Sequence, residues 1–351
     1  MMLAIQPDKV PYQIPMPNNM GMVRYFLALS VVISHFNILT GADIPWFCGS
    51  YTGVCGFFAV SGFLVYGGYL RRRNIKQYIQ SRARRILPAY LFTIVFFAIA
   101  FCFVSTLPVT EYFKSSQLYK YLIANICFAN FVEPTLPGVF DNYAIPAVNG
   151  SLWTMKVEWF LYLSVPISVW IASRLKMRPL SSFLWIYILS VFYKIGFDYA
   201  YSATGKEIFQ ILSRQFFGQL MFFYSGVLIY HYFSTFMKYK WYIIIFNALC
   251  LIFLRENTVY YYVLEPFVIS STVLWFSMVG KWGTWEGRKD NVSYNIYLVH
   301  FPIIQLAVFM GLPETIGVPL CFAITLAACF ALSFIMLYTV ERHFWRRKQL
   351  G

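Results

Sequence analysis

Residues 22–40 read MVRYFLALSVVISHFNILT. At 1.5 Å per residue such a stretch is long enough to cross the hydrocarbon core of a bilayer as one helix, yet it carries an arginine and a histidine that a plain span does not need. Arg24 and His35 are eleven residues apart, roughly 16 Å of rise and about three turns, so they lie on nearly one helix face. With Arg24 at the inner interface, His35 reaches the middle of a core about 30 Å thick. Ser34 stands beside it, and Asn37 and Thr40 lie further on. An ionisable group at that depth is costly and faces the protein interior or a wet cavity. It is either a structural histidine satisfied by a hydroxyl, with Arg24 as an interface anchor, or a reactive group at a buried site.

The rest of the chain repeats the apolar theme. Of 351 residues 59% are hydrophobic and 12% charged, whereas soluble domains carry about 25% charged residues. Further runs of span length fall at 52–70, 86–107, 150–172, 181–199, 214–233, 241–254, 259–279, 292–311 and 317–339. The expectation is an all-α polytopic membrane protein, a single bundle of about ten transmembrane helices. The apolar stretch 118–132, LYKYLIANICFANFV, reads as a re-entrant or interfacial helix and leaves nine or eleven spans open. Most of the 28 lysines and arginines collect in alternate loops, which places those loops and both termini in the cytoplasm. Residues 1–20, with four prolines and no apolar core, read as a polar N-terminal tail and not a cleaved signal. Residues 21–345 form the transmembrane domain and 346–351 a basic tail.

The formal net charge of +14 follows from these inner loops, and nucleic acid is thereby excluded as a partner in favour of membrane lipids. The seven cysteines show no metal-binding spacing, so no metal is expected. Most sit in apolar runs; Cys48 and Cys55, in or near an outer loop, are the two that could pair.

Four further stretches carry chemistry. The fourth span begins NGSLWTMKVEWFLYL and sets Lys156 and Glu158 where apolar residues belong, with Trp153 just before them. Glu158 lies about 12 Å from the outer edge, similar in depth to His35. It is either a carboxylate that orients the histidine, as acid–histidine pairs do, or the partner of Lys156. Seven cations stand between Arg71 and Arg85 with no acid among them. Arg82, Arg84 and Arg85, at the mouth of span three, can hold phosphate through their guanidinium forks or contact anionic lipid. GFFAVSGFLV offers Gly56, Ser61 and Gly62 for close helix approach or a slender ligand. SYNIYLVHFPI places Tyr294, Asn295, Tyr297 and His300 in one late span, where His300 is structural or catalytic. His231 and His343 are expected at the surface.

In this order these pieces resemble acyltransferase family 3, transmembrane acyl-CoA-dependent enzymes that include O-antigen, capsule and Nod-factor O-acetyltransferases. The likeness rests on Arg24 with His35, on FFAVSGFLV, on RARRILPAY opening span three, on SLWTMKVEWFLYL and on SYNIYLVHFPI, and it covers nearly the whole chain. It implies that 21–345 is an acyltransferase domain of a bacterial inner membrane. The implied activity moves an acyl group, usually acetyl, from cytoplasmic acyl-CoA to a hydroxyl of a polysaccharide, lipopolysaccharide or lipid-linked sugar. Many members carry a second carboxylate after the glutamate, where this chain has Trp159. Members with a fused extracytoplasmic domain are longer than this chain, so a second transfer step is expected to need another glycan-assembly protein.

The resulting expectation is a central cavity reached by the donor from the cytoplasm and by the acceptor from outside. His35 is the general base or an acyl-carrying nucleophile, and Glu158 tunes or orients it. Arg24, Arg82, Arg84 and Arg85 hold the coenzyme A phosphates. Ser61, Trp153, Lys156, Tyr294 and His300 bind substrate or support the site. The rival is a transporter or flippase whose buried charges line a path, but no inverted repeat or pair of broken helices is visible.

Overall fold

The computed structural model describes residues 18–72, 74–283 and 291–343. The tails expected at 1–20 and 346–351 lie almost wholly outside these residues. The described residues form fourteen α-helices and no strand: α1 Met20–Thr40, α2 Ser50–Arg72, α3 Ile75–Ala100, α4 Val109–Lys114, α5 Ser116–Ile126, α6 Trp153–Arg174, α7 Pro179–Thr204, α8 Glu207–Ser213, α9 Phe216–His231, α10 Phe233–Phe253, α11 Glu265–Met278, α12 Ser293–Phe309, α13 Leu312–Ile316 and α14 Val318–Met336. Seven are long and apolar enough to span: α1, α2, α3 with its extension to Phe103, α6, α7, α10, and α14 with its π-helical end at Glu341. Three other segments read as spans form shorter helices, α9 of 16 residues, α11 of 14 and α12 of 17. The apolar stretch at 118–132 yields only α5, 11 residues long, about 16 Å and too short to cross. The chain is thus a multi-pass, all-helical membrane protein.

The helices gather into two compact units. The described residues of the first fall within Met1–Leu27, Tyr51–Ile79 and Val157–Glu286. Here α7 and α11 pack along α9, whose Phe222, Phe223 and Tyr224 are buried. With hydrocarbon outside as apolar as the helix surfaces, close backbone approach replaces the hydrophobic effect as the source of cohesion. A Cβ added at Gly62 of α2 would fall on the carbonyl oxygen of Phe223, and one at Gly226 of α9 on that of Ala59. The glycines noted in the α2 sequence therefore serve helix contact. Lys194, almost fully buried, is neutralised by Asp198 one turn on at 2.8 Å.

The second unit falls within Ala28–Ser50, Gln80–Lys156 and Gly287–Gly351. In it α12 packs against α14, and Phe36 of α1 joins Ile304, Ala307 and Cys321 in one apolar cluster. The polar residues that flank His35 are spent locally. Thr40 and Ser34 hydroxyls donate to carbonyls one turn back, and Asn37 pairs with the backbone of Ile44 in both directions at 3.0 Å. Tyr90 of α3, Asn125 of α5 and Asn130 just after it interlock through hydrogen bonds. All seven cysteines are free thiols, Cys48 and Cys55 included. His231 corrects an expectation: it is half-buried and bonds Tyr66 at 3.1 Å, because the C-terminal end of α9 is packed against α2.

The two kinds of glycine separate in a stability measurement. Gly62→Ala must displace backbone and is expected to cost roughly 2 to 3 kcal/mol. Gly196→Ala on α7, where an added Cβ meets nothing within 4 Å, should be neutral or stabilise by about 0.5 to 1 kcal/mol. Thermal unfolding of the detergent-purified variants checks both.

Candidate active site

The centre of the second unit is built around a proline. Pro302 lies inside α12 and has no backbone N–H, so the carbonyl of Leu298, one turn earlier, loses its helical partner. Asn149 supplies the replacement, its side-chain amide donating to Leu298 O at 2.8 Å. The same loop and the start of α6 hold α12 at further points. Gln305 donates to the carbonyls of Ile145 and Ala147 at 2.7 and 3.1 Å, and Thr154 and Tyr297 share a hydroxyl bond of 2.9 Å. Gly150 lies under the Phe301 ring where a Cβ would clash.

This clamp fixes His300, which has no exposed surface. Its Nδ1 is 2.8 Å from the Tyr297 carbonyl oxygen and 3.3 Å from that of Ile296. Its Nε2 is 2.7 Å from Nδ1 of His35 on α1. The ring planes differ by 1° and the centroids are 5.0 Å apart, so the two imidazoles lie edge to edge in one plane with the short N···N contact along it. Phe301 meets the His35 ring edge-on at 5.3 Å. The structure thus joins two histidines 265 positions apart, each of which the sequence presented alone. Among the described residues of this unit no carboxylate lies within ion-pair distance of either.

In the first unit, Glu158 of α6 is half-buried. It accepts hydrogen bonds from the Ser61 hydroxyl of α2 at 3.2 Å and from the Tyr162 hydroxyl one turn along α6. The Tyr78 hydroxyl in turn donates to the Tyr162 carbonyl at 2.7 Å. Ser61, singled out for its small size, therefore acts as a donor to the carboxylate. Lys156 lies 4.9 Å over the Phe131 ring; two positions from Glu158 on one helix, it points to another side. Trp153 opens α6, and Arg24 is half-buried near the start of α1.

The three arginines of α3 divide. Arg84 is exposed and Arg82 binds the Ser81 hydroxyl at 3.0 Å. Arg85 pairs with Glu341, itself only 3% exposed, at 3.4 Å, and lies 5.2 Å from the ring centre of Tyr294. The Tyr294 hydroxyl donates to the Ile86 carbonyl at 3.1 Å, so this tyrosine braces the arginine helix. No metal-binding group of side chains occurs among the described residues.

Asn149, Gly150, Gln305 and Tyr162 carry much of this architecture and were not among the expected site residues. The signal for two of them was present: a proline two residues after an intramembrane histidine demands a substitute donor, and NGS stands at the mouth of the next polar span.

A family model described as an acyltransferase domain, Acyl_transf_3, matches residues 18–338. Nodulation protein 10 of Rhizobium leguminosarum bv. viciae is 31% identical over 170 residues, 45% of this chain and 46% of that protein. The O-acetyl transferase of Shigella phage Sf6 is 25% identical over 296 residues, 81% of this chain and 84% of that one. The O-acetyltransferase OatA of Staphylococcus aureus is 27% identical over 177 residues, 47% of this chain and 26% of its own length. The match thus spans under half of the nodulation protein and about a quarter of OatA. No solved structure matches the chain.

Arg85→Met strands the buried Glu341 carboxylate and should lower stability by about 3 kcal/mol, while Arg85→Met with Glu341→Gln should recover most of the loss. Unfolding midpoints of the single and double variants decide whether Arg85 is first a structural cation.

Proposed function

The chain belongs to the acyltransferase 3 family, and from that premise we propose that it is a membrane O-acetyltransferase. Its donor is cytoplasmic acetyl-CoA. Its acceptor is a hydroxyl of a surface polysaccharide, lipopolysaccharide or lipid-linked glycan, and the enzyme works in a bacterial inner membrane. The observation that carries this reading is the imidazole pair, His35 backed by His300 at 2.7 Å, set among apolar helices of a chain matched over residues 18–338.

The chemistry needs a group that removes a proton from an alcohol. His35 supplies it, as general base or as a nucleophile that first takes the acyl group. In the direct route the imidazole accepts the hydroxyl proton while the oxygen bonds to the thioester carbonyl carbon. The carbon–sulfur bond then breaks, and the coenzyme A sulfur leaves as the thiol once the proton passes to it. Glu158, whose carboxylate accepts from the Ser61 and Tyr162 hydroxyls, is the second functional group of this reading, a carboxylate that tunes the charge of the reaction. Arg82 and Arg84 recognise the donor phosphates, and Arg24 is a separate cation proposed for donor recognition. The guanidinium fork matches phosphate oxygens.

Purified membranes should consume acetyl-CoA when a glycan acceptor is added and leave an alkali-labile acetyl ester on it. His35→Ala should lose at least about a hundredfold in turnover while the protein still inserts and unfolds cooperatively, at a temperature lowered only by the loss of one buried hydrogen bond. Changing Arg82 and Arg84 together to glutamine should raise the acetyl-CoA KM by roughly tenfold or more, since each charge-assisted contact is worth about 1.5 to 3 kcal/mol, and leave the acceptor KM in place. Wild-type membranes that transport a glycan without consuming acetyl-CoA would overturn the reading.

A further inference from the structure

His300 has polar contacts at both ring nitrogens, and their chemistry assigns every ring proton of the pair. Its Nδ1 faces the backbone carbonyl oxygens of Tyr297 and Ile296 at 2.8 and 3.3 Å. A carbonyl only accepts, so Nδ1 carries the hydrogen. A neutral imidazole has one N–H, which leaves a lone pair on His300 Nε2. That atom is 2.7 Å from His35 Nδ1, so His35 Nδ1 must be the donor. The coplanar rings aim that N–H along the acceptor lone pair, as a linear bond requires. Placing a second proton on His300 would put a full charge on a side chain with no exposed surface, in a unit where no carboxylate among the described residues lies within ion-pair distance of it. That arrangement is disfavoured by the cost of an unpaired buried ion.

We propose that His300 is a positioning residue that holds His35 in the tautomer whose Nε2 is unprotonated, making Nε2 of His35 the proton-accepting or nucleophilic atom. The role is the one an orienting carboxylate fills in acid–histidine pairs, here performed by a neutral imidazole anchored on a helix carbonyl. The difference has a chemical consequence. A neutral partner orients the ring and accepts its hydrogen but contributes no negative charge, so the imidazolium formed when Nε2 takes a proton is not drawn into a tight ion pair. It gives the proton up readily to the departing thiolate. The step balances: one proton moves from the alcohol to Nε2 and then to sulfur, while Nδ1–H of His35 and Nδ1–H of His300 stay in place. This inference rests on the assignment of His35 as the reactive group.

The chain has four histidines, which makes nitrogen-15 histidine labelling of the full-length protein in lipid nanodiscs interpretable, with His35→Ala and His300→Leu samples to assign the signals. The expected wild-type spectrum shows His35 neutral, with hydrogen on Nδ1 and none on Nε2, and His300 neutral with hydrogen on Nδ1. Hydrogen on His35 Nε2, or a doubly protonated His300, would overturn the proposal whatever the activity. In turnover, His300→Leu should lower kcat roughly a hundredfold with the acetyl-CoA KM within about twofold. His300→Gln, whose amide oxygen falls near the lost Nε2, should recover at least about tenfold of this, and His300→Asn, too short to offer that acceptor, should not. Equal activity of the Leu, Gln and Asn variants would reduce His300 to a packing residue. The underlying reading is tested separately: near-normal transfer by His35→Ala removes His35 from the chemistry without changing the proton positions in the spectrum.

Discussion

Hydrocarbon offers no water, so a polar group carried into it must find its partner in the protein. That constraint organises both units. Lys194 has Asp198, Glu341 has Arg85, Glu158 has two hydroxyls, and His35 has His300. The Lys194 pair closes within α7, whereas the other three tie together segments that apolar contact alone would let slide, because lipid competes equally well for an apolar face. The polar side chains are few, and each sets a position along a helix axis as well as a contact.

Pro302 shows how the same rule shapes the surroundings of the imidazole pair. By withholding one N–H the proline frees a carbonyl, and the freed carbonyl draws in Asn149. Asn149 then brings its loop against α12 with Gly150 under Phe301, and Phe301 packs on the His35 ring. A defect in the helix ladder is thereby converted into an attachment point, and the imidazole pair is framed by a loop and two helices. The precision needed at a reacting nitrogen is better supplied by such supports than by the histidines themselves.

The sequence made the helical, membrane-spanning class plain, since charge is scarce and long apolar runs recur. It also exposed His35 and Glu158, because ionisable residues stand out within such runs. The pairing of His35 was not legible. Depth estimates drew attention to a carboxylate, whereas the ring nitrogen bonds a histidine 265 positions away. Distance in sequence carries no information about which helices meet. Span length was a partial guide: α9, α11 and α12 are shorter than the apolar runs that contain them, as turns and π-helical segments consume residues at their ends. The role of Ser61 was half visible, its size noted and its hydroxyl overlooked.

The second unit draws on widely separated stretches, 28–50, 80–156 and 287–351, and this bears on how the protein is made. During synthesis α1 and α3 emerge early, carrying His35 and Arg85 without the groups that answer them. His300 and Glu341 arrive on α12 and α14, more than two hundred residues later. The nascent chain therefore carries an uncompensated arginine and an unmoored imidazole through most of its insertion. Chains normally acquire structure from the first-made end onward. Here the imidazole pair closes among the last events, so a ribosome that stalls before α12 leaves behind a membrane-inserted chain in which His35 has not met His300.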